Sequence, residues 1–328
     1  MAQSTVLITG ISGYLGLHVA RVALDRGYKV RGTIRNPSKE LVVRKALGNP
    51  GDSLSFAVCD LTGDEGWEEA FKDVDALAHV ASPFILKEPK DEQEYLRPAV
   101  EGTLRVMRFA SQFEIENIVV TATYLTMAGH MSTGIFGPNS YTPLDAPNIN
   151  SYIRSKVAAE EALWNFVSHE APDLSVSTIH PGAILGPPLT TDTSGTSVST
   201  IRDMLTGAVP GIPPISVPMV DVRDAALAHI AVLEKTLTAN KRYIVSHSEP
   251  ISYLEVSKIL RADGYSKVPS REIPVALIKA LAIFNSEMKS MKAFLGKAVH
   301  ADISETVSDL NWNPRPIKET VLETAKAI

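Results

Sequence analysis

Residues 9–16 read T-G-I-S-G-Y-L-G, which places Gly10, Gly13 and Gly16 at three-residue spacing. A β-prone run at 6–9 precedes the glycines, and a stretch with helical periodicity at 15–26 follows them. In this strand–turn–helix setting, glycines permit a tight turn, close approach of a pyrophosphate to the backbone, and close packing of the helix on a sheet. The stretch therefore predicts a dinucleotide-binding loop, with a plain turn as the alternative.

Further strand candidates follow along the first half of the chain, and helical segments separate most of them. The strand candidates are 28–34, 54–59, 76–80, 118–121 and 175–180, and the clearest helices are 93–113 and 151–168. Repeated β-α units are typical of a parallel sheet that is covered by helices on both faces. The sequence thus predicts an α/β, doubly wound (Rossmann) fold.

The end of the second strand candidate bears on the choice of dinucleotide. An NAD site usually places an acidic residue there, which binds the adenosine ribose hydroxyls. Residues 30–39 instead read V-R-G-T-I-R-N-P-S-K, with no acid before Glu40. Arg35, helped by Arg31 or Lys39, suits the 2′-phosphate of NADP through charge-assisted hydrogen bonds. NADP(H) is the favoured cofactor, and a solvated basic edge is the alternative.

The composition changes after Gly186. Two stretches between 187 and 218 are rich in Pro, Gly, Ser and Thr, which predicts long loops rather than sheet strands. Such loops, beyond the ends of parallel strands, are where these folds usually bind ligands. We therefore expect an NADP-binding Rossmann domain over 1–186, to which 221–247 returns. The segments 187–220 and 248–328 would form a smaller, loop-rich C-terminal substrate lobe.

Composition and charge exclude several classes of protein. Of the 328 residues, 45% are apolar, and the formal net charge of −5 argues against nucleic acid as a partner. Cys59 is the only cysteine, so a disulfide within the chain and a thiolate zinc site are excluded. Cys59 lies in an apolar run, where we expect it to fill the core. A chain without disulfides fits a reducing, cytoplasmic location.

Neither an export signal nor a membrane span is expected. The N-terminal segment lacks a basic region, and glycines interrupt its apolar run. No stretch approaches the roughly 20 apolar residues that a membrane span requires. The run V-A-L-I-K-A-L-A-I-F at 275–284 is short and contains Lys279, so we interpret it as a packed helix, with a role at a membrane surface as the less favoured alternative.

Nine short motifs together carry a resemblance to one family. They are T-G-I-S-G-Y-L-G, V-R-G-T-I-R, C-D-L, H-V-A-S-P-F, R-P-A-V-E-G-T, S-Y-I-R-S-K, H-P-G-A-I-L-G-P and D-V-R-D-A-A-L-A-H within residues 9–229, and N-W-N-P-R-P near the C-terminus. In these motifs the chain resembles the extended short-chain dehydrogenases/reductases. The similarity is to the branch that contains dihydroflavonol, cinnamoyl-CoA and fungal methylglyoxal reductases.

The resemblance implies a set of cofactor contacts. These are Gly10, Ser12, Gly13, Tyr14, Leu15 and Gly16 in the glycine loop, Asp60 and Leu61 at the adenine, Ala81 beside the cofactor, and Pro181, Gly182, Ala183 and Ile184 along the nicotinamide. A strand-end cap is the alternative role for Asp60. Because the family uses neither His79 nor His180 as a ligand, we expect no metal site.

Residues 150–156, N-S-Y-I-R-S-K, contain the candidate acid of the reaction. Reduction of a carbonyl by hydride requires a proton for the oxygen. The pKa of a free tyrosine is about 10, and Lys156, one helical turn beyond Tyr152, is expected to lower the pKa of Tyr152. The resemblance implies that Lys156 also binds the nicotinamide ribose. An ordinary helix face is the alternative.

The third catalytic position departs from the pattern of the family. Relatives commonly have T-S-S after the fifth strand, with a serine hydroxyl that holds the substrate oxygen, whereas this chain reads T-A-T-Y. Thr123 retains a hydroxyl and is the candidate for this role. Thr121 and Thr126 are the alternatives.

The motifs together predict a cytoplasmic NADPH-dependent carbonyl reductase that acts on an aldehyde or ketone. Its expected partner is a small-molecule carbonyl substrate, and neither nucleic acid nor a membrane is expected to bind. The chain would be a monomer or a homodimer. A nucleotide-sugar epimerase or dehydratase is the alternative enzyme, but Arg35 disfavours NAD, and 187–220 offers only Arg202 for a diphosphate. A cofactor-sensing regulator is disfavoured by the presence of Tyr152 and Lys156.

Overall fold

A computed structural model of the chain describes residues 4–83, 91–191, 196–235, 240–282 and 291–328. The strands are β1 (Thr5–Thr9), β2 (Lys29–Ile34), β3 (Leu54–Val58), β4 (Ala76–His79), β5 (Asn117–Thr121), β6 (Thr133–Phe136), β7 (Ser175–Pro181), β8 (Ala183–Leu185), β9 (Ser216–Val217), β10 (Met219–Asp221), β11 (Arg242–Val245), β12 (Ile251–Ser252) and β13 (Ala298–Ala301). The α-helices are α1 (Tyr14–Asp25), α2 (Glu40–Ala46), α3 (Trp67–Phe71), α4 (Gln93–Gln112), α5 (Leu125–Ala128), α6 (Ser151–His169), α7 (Thr196–Thr206), α8 (Val222–Leu233), α9 (Tyr253–Ala262), α10 (Val275–Leu281), α11 (Ser304–Leu310) and α12 (Ile317–Ala327).

Seven strands form one parallel sheet in the order β11-β7-β5-β4-β1-β2-β3. Val6 in β1 pairs with Val30 in β2 on one side and with Ala76 in β4 on the other. The chain therefore leaves β1 in one direction for β2 and β3 and later in the opposite direction for β4 and β5. Ligands of such sheets bind at this switch point, beyond the carboxyl ends of the strands. The predicted doubly wound fold is confirmed.

Helices cover both faces of the sheet because its strands carry apolar residues on both sides. On one face α1 and α8 pack with buried side chains that include Val19 and Ala225, and on the other α3, α4 and α6 pack with Trp67, Val106 and Leu163. Complete burial of one such large side chain stabilises the fold by about 1.5–3 kcal/mol. The prediction that Cys59 fills the core is also confirmed, because its side chain is buried in the same cluster as Trp67, Val106 and Leu163.

Part of the segment after Gly186 is helical, so the prediction of long loops was wrong there. The structure has α7 at Thr196–Thr206 and the short strands β9 and β10. Val198, Ile201 and Met204 lie three residues apart and bury one face of α7, although the surrounding serines and threonines resemble a loop in composition. Residues 192–195 lie outside the described residues.

The segment around residue 230 lies against the sheet. β11 pairs with β7, and α8 packs beside α1. Another core cluster includes side chains of α7, α9 and α12 and packs them with side chains of α5 and α6. On this basis we propose the division given above, with 221–247 in the nucleotide-binding domain and the lobe built from 187–220 and 248–328.

The run at 275–284 forms helix α10 up to Leu281, and residues 283 and 284 lie outside the described residues. Ile278 is buried, whereas Leu277 is 49% exposed, so one face of α10 packs and another meets solvent. Within the described ranges, no helix is both long and apolar enough to cross a membrane.

Candidate active site

One cavity of about 1020 Å³ opens at the carboxyl ends of the central strands. Every predicted site residue except Arg31 and Lys39 lines it: Gly10, Ser12, Gly13, Tyr14, Leu15, Gly16, Arg35, Asp60, Leu61, Ala81, Thr123, Tyr152, Lys156, Pro181, Gly182, Ala183 and Ile184. Residues that are far apart in the sequence thus meet at one place because parallel strands end at the same edge of the sheet. Phe84, the last residue of H-V-A-S-P-F, lies outside the described residues.

The glycine loop turns tightly between β1 and α1. Gly10 has φ +67°, a left-handed conformation that favours glycine, and Gly13 N donates to Gly10 O at 2.9 Å. A Cβ on Gly16 would lie 2.3 Å from Gly10 O, so α1 could not remain this close to the turn with any larger residue. The start of α1 lines the cavity, and the N–H groups of a helix's first turn favour the binding of an anionic group.

Thr9 holds the ends of β1 and β4 together beneath this loop. Its Oγ1 accepts from Val80 N and Ala81 N, each at 3.0 Å, and donates to His79 Nδ1 at 2.8 Å. Burial lowers the pKa of His79 to about 3, with a smaller effect of the nearby Lys156 charge, so the ring is neutral. His79 therefore has a structural role that positions the loop containing Ala81.

The basic residues near the end of β2 do not act alike. Arg35 is exposed and lines the cavity, and its charge helps to lower the pKa of Asp60, after the larger effect of the hydrogen bonds from Thr62. Arg31, which was expected to help Arg35, instead donates to backbone carbonyls around the end of α3, including Glu69 O at 3.2 Å. The expectation for Arg31 is therefore wrong, because its guanidinium is held by these carbonyls and Arg31 does not line the cavity.

Asp60 lines the cavity, whereas Lys39 does not. The Asp60 carboxylate accepts from Thr62 N at 2.8 Å and from Thr62 Oγ1 at 2.6 Å, so it caps a turn and also lines the cavity. The cap and the cofactor contact are thus compatible. Lys39 ends a short 3₁₀ helix beginning at Pro37 and does not line the cavity.

Helix α6 presents the candidate acid, Tyr152, and its neighbouring cation, Lys156. Asn150 caps its first turn by accepting from Ile153 N at 2.9 Å, which fixes where the helix begins. Tyr152 and Lys156 then lie one turn apart on the cavity side, and Lys156 Nζ is 5.6 Å from the centroid of the Tyr152 ring. The ammonium also donates to the hydroxyl of Ser82, in the loop after β4.

The pKa values of the pair differ from the expectation. Burial raises the pKa of Tyr152 to about 12, and burial lowers the pKa of Lys156 to about 8. Lys156 was expected to lower the pKa of Tyr152, but its charge lies over the ring face, and desolvation of the phenolate has the larger effect. The Tyr152 phenol is therefore protonated at neutral pH, as a proton donor must be.

Of the three threonines considered for the substrate oxygen, two line the cavity. Thr123 is 8% exposed, and its Oγ1 accepts weakly from Leu125 N at 3.4 Å. Thr121 also lines the cavity, but its hydroxyl donates to His229 Nε2 at 2.8 Å, since Nδ1 of that ring donates to a carbonyl. Thr126 does not line the cavity. The geometry thus favours Thr123.

Several lining residues are absent from the sequence prediction. Ser82 binds Lys156, and the side chains of Tyr124 and Tyr253 add two more phenols to the wall. Ser82 was within reach of sequence reasoning, since it lies in H-V-A-S-P-F one residue after Ala81. Nothing in the sequence connects Tyr253 with Tyr152, about a hundred residues earlier, because their proximity depends on tertiary folding.

Within the part of the chain that the structure describes, no three His, Cys, Asp or Glu side chains are grouped to hold a metal ion.

Comparisons with known proteins place this geometry in a family. The model of the NAD dependent epimerase/dehydratase family matches residues 6–246. Cinnamoyl-CoA reductase 1 of Arabidopsis thaliana is 31% identical over 75% of this chain and 71% of its own length. NADPH-dependent methylglyoxal reductase GRE2 of Saccharomyces cerevisiae is 25% identical over 99% of this chain and 98% of its own length.

A solved structure has the same fold. The crystal structure of yeast methylglyoxal/isovaleraldehyde reductase Gre2 complexed with NADPH superposes with a TM-score of 0.81 at 22% identity and covers 99% of this chain and 98% of that one. The resemblance to the extended short-chain dehydrogenases/reductases is thereby confirmed. The chain belongs to the NAD dependent epimerase/dehydratase family.

Proposed function

We propose that the protein is an NADPH-dependent carbonyl reductase that converts an aldehyde or ketone into an alcohol. The observation that carries the proposal is the convergence of the glycine loop, Thr123, Tyr152 and Lys156 on one cavity. Relatives that align over most of the chain are named as reductases of carbonyl compounds, among them the NADPH-dependent methylglyoxal reductase.

The residues present fit a bound NADPH. A Cβ at Gly10 would meet Ala81 at 3.0 Å, and one at Gly16 would meet the Gly10 carbonyl, so glycine lets the loop pack closely against Ala81 and lets α1 pack closely on the loop. The start of α1 would bind the pyrophosphate, and Arg35 would pair with the 2′-phosphate. The stretch 181–184 would lie along the nicotinamide, and Asp60 and Leu61 would lie at the adenine.

NADPH supplies a hydride to the carbonyl carbon when it is bound. Tyr152 donates the proton that the substrate oxygen needs, and the Thr123 hydroxyl donates a hydrogen bond to the same oxygen. Lys156, held by Ser82, places a positive charge beside the Tyr152 ring and so stabilises the phenolate that forms when the proton leaves. The raised pKa of Tyr152 keeps its proton available until a substrate carbonyl accepts it.

The remainder of the cavity fits an uncharged carbonyl compound better than a nucleotide sugar. Leu125, Ile215, Val217 and Phe294 give this part of the wall an apolar character. Among the described lining residues, Arg35 and Lys156 carry the only positive charges, and we assign both to the cofactor and catalysis. Arg202 does not line the cavity, so the described wall offers no further cation for a sugar diphosphate.

The proposal is tested by following NADPH oxidation with a panel of aldehydes, ketones, flavonoids and CoA thioesters, with NADH as the parallel cofactor. We expect turnover of at least one aldehyde or ketone, with NADPH preferred. Conversion of a nucleotide sugar without net oxidation of the cofactor, together with no turnover on the carbonyl panel, would identify the protein as an epimerase instead.

A further inference from the structure

A buried polar network lies directly behind the wall that contains Thr123. At its centre is His180, near the end of β7, with a fully buried side chain. His180 Nδ1 lies 3.2 Å from the Thr123 carbonyl oxygen and 3.1 Å from Thr126 Oγ1, and its Nε2 lies 2.8 Å from Thr178 Oγ1. The ring thus connects β7 with the turn between β5 and α5.

The partners of the ring favour a proton on Nδ1. The Thr123 carbonyl can only accept, so it takes Nδ1–H, and the Thr178 hydroxyl can donate to Nε2. Nε2 also lies 3.3 Å from Glu160 Oε1, but that oxygen already accepts from Arg242 Nε at 2.7 Å. Burial lowers the pKa of His180 to about 4 despite the opposing charge of Glu160, so the ring is neutral with one proton to donate. That proton is directed to the backbone of Thr123.

Helix α6 reaches the same network one turn beyond Lys156. Tyr152, Lys156 and Glu160 follow at four-residue spacing and therefore lie along one face of the helix. Glu160 is 7% exposed, accepts from Arg242 Nε at 2.7 Å and shares a hydrogen bond with Thr126. The helix that carries the acid and the turn that carries Thr123 are thus joined from behind.

The Thr123 carbonyl has further donors within its own turn. It accepts from Thr126 N at 3.0 Å, and the Thr126 hydroxyl lies 2.9 Å away with one proton, which it can give either to that carbonyl or to Glu160. His180 is the partner that joins this carbonyl to a side chain of β7. Loss of the His180 bond would remove that link and allow the turn that contains Thr123 to shift.

We propose that His180 is a positioning residue for carbonyl reduction, whose Nδ1–H holds the backbone of Thr123 and so fixes where the Thr123 hydroxyl lies in the cavity wall. The inference rests on the proposed function, specifically on Thr123 as the residue that binds the substrate oxygen. A displacement of about 1 Å in a catalytic group can reduce the rate roughly a hundredfold.

A matched pair of variants tests the proposal. The amide nitrogen of His180→Asn occupies a position close to Nδ1 and can still donate to Thr123, whereas the amide of His180→Gln lies nearer to the position of Nε2. We expect kcat/KM for the carbonyl substrate to stay within about threefold for Asn and to fall about 10- to 100-fold for Gln, with the Kd for NADPH unchanged in both. Equal activity of the two variants would overturn the assignment.

Thr123→Val separates failure of this inference from failure of the proposed function. If His180 acts through Thr123, adding His180→Gln to Thr123→Val should cause little further loss, because the group being positioned is already absent. A Thr123→Val variant with full activity would contradict the role of Thr123 itself. A Thr123→Val variant that loses activity beside a fully active His180→Gln would contradict the role of His180 alone.

A second variant covers the case in which the His180 substitutions prevent folding. Thr126→Val keeps the shape of the side chain and removes the hydroxyl that lies next to the Thr123 carbonyl. Thr126 does not line the cavity. We expect at least a threefold loss of kcat/KM with an unchanged Kd for NADPH. Unchanged kcat/KM would show that the network behind Thr123 does not position it.

Discussion

At the scale of single residues, the hydroxyl of Thr123 is proposed to donate a hydrogen bond to the substrate oxygen. If it binds the substrate oxygen, Thr123→Val should lose activity, because the shape is retained while the donor is removed. Thr123→Ser should keep the hydrogen bond and enlarge the pocket by one methyl group, which is worth about 1–3 kcal/mol in an apolar site. We expect the Ser variant to be active and to favour bulkier ketones.

The measurement is kcat/KM of both variants on one small aldehyde and one bulky ketone. A Val variant as active as the wild type would place the oxygen elsewhere. Thr121 would then be the next residue to test, since it lines the cavity and Thr126 does not.

Arg35 is expected to decide the choice between cofactors. Arg35→Ala should weaken the binding of NADPH far more than that of NADH, because only NADPH carries the 2′-phosphate. A charge-assisted hydrogen bond contributes about 1.5–3 kcal/mol, or roughly a tenfold to hundredfold change in Kd. Arg26→Ala is the control for loss of one positive charge, because Arg26 lies at the C-terminal end of α1, away from the glycine loop. It should leave both Kd values unchanged.

Binding titrations with the two cofactors check this prediction. The assignment fails if the ratio of the two Kd values is the same before and after the Arg35 substitution.

The difference between Arg31 and Arg35 marks how far single residues can be predicted from sequence. Arg31 lies in β2 and Arg35 follows it directly, both carry the same charge, and a motif cannot distinguish them. Arg31 points to the end of α3, whose carbonyls need donors, and that contact exists only in the folded chain.

The placement of Tyr152 and Lys156 on one cavity wall was predictable, because a spacing of four residues on a helix fixes their relative direction.

At the scale of elements, the start of α1 depends on the absence of a side chain at Gly16. An alanine within a helix is usually favoured over glycine by about 1 kcal/mol. In Gly16→Ala, however, the new Cβ would lie 2.3 Å from Gly10 O, so the helix must move away from the turn. We expect a lower free energy of unfolding and weaker binding of NADPH.

Gly63→Ala provides the control, because a Cβ there would meet no atom within 4 Å. Urea unfolding and a cofactor titration of both variants test the prediction. Equal effects of the two substitutions would contradict the requirement for close packing at Gly16.

The elements themselves differ in how well the sequence predicted them. The central strands are short apolar runs between turns, buried on both faces, and all six predicted strands are present within two residues of the expected bounds. Short pairs such as β8 with β10 could not be predicted. Their two or three residues have no periodicity of their own, and each strand exists only because its partner is nearby.

At the scale of the whole molecule, four buried histidines make stability depend on pH. Burial lowers the pKa of His79 to about 3, and the pKa values of His18, His180 and His229 to about 4. Each folded-state pKa lies below the usual 6.5, so the unfolded chain binds more protons below pH 6.5. The free energy of unfolding should therefore fall as the pH drops from about 6.5 toward 4, by about 1.4 kcal/mol per pH unit for each histidine.

Urea unfolding at pH 7 and pH 5 tests this dependence. We expect a free energy of unfolding that is lower by several kcal/mol at pH 5, and His18→Asn should reduce the slope by about one proton. His169→Gln, at an exposed position, is the matched control for the loss of one imidazole. Equal stability of the wild type at the two pH values would show that these rings are not held neutral by burial.

The central claim is that Tyr152 donates the proton in carbonyl reduction, and Tyr152→Phe tests it most directly because one oxygen is removed while the ring is kept. The measurement is kcat on the best carbonyl substrate together with the Kd for NADPH, with Tyr141→Phe, outside the cavity, as the control. We predict a loss of about 10²–10⁴-fold in kcat, an unchanged Kd, and a fully active Tyr141→Phe. A Tyr152→Phe variant with near-native kcat would contradict the account.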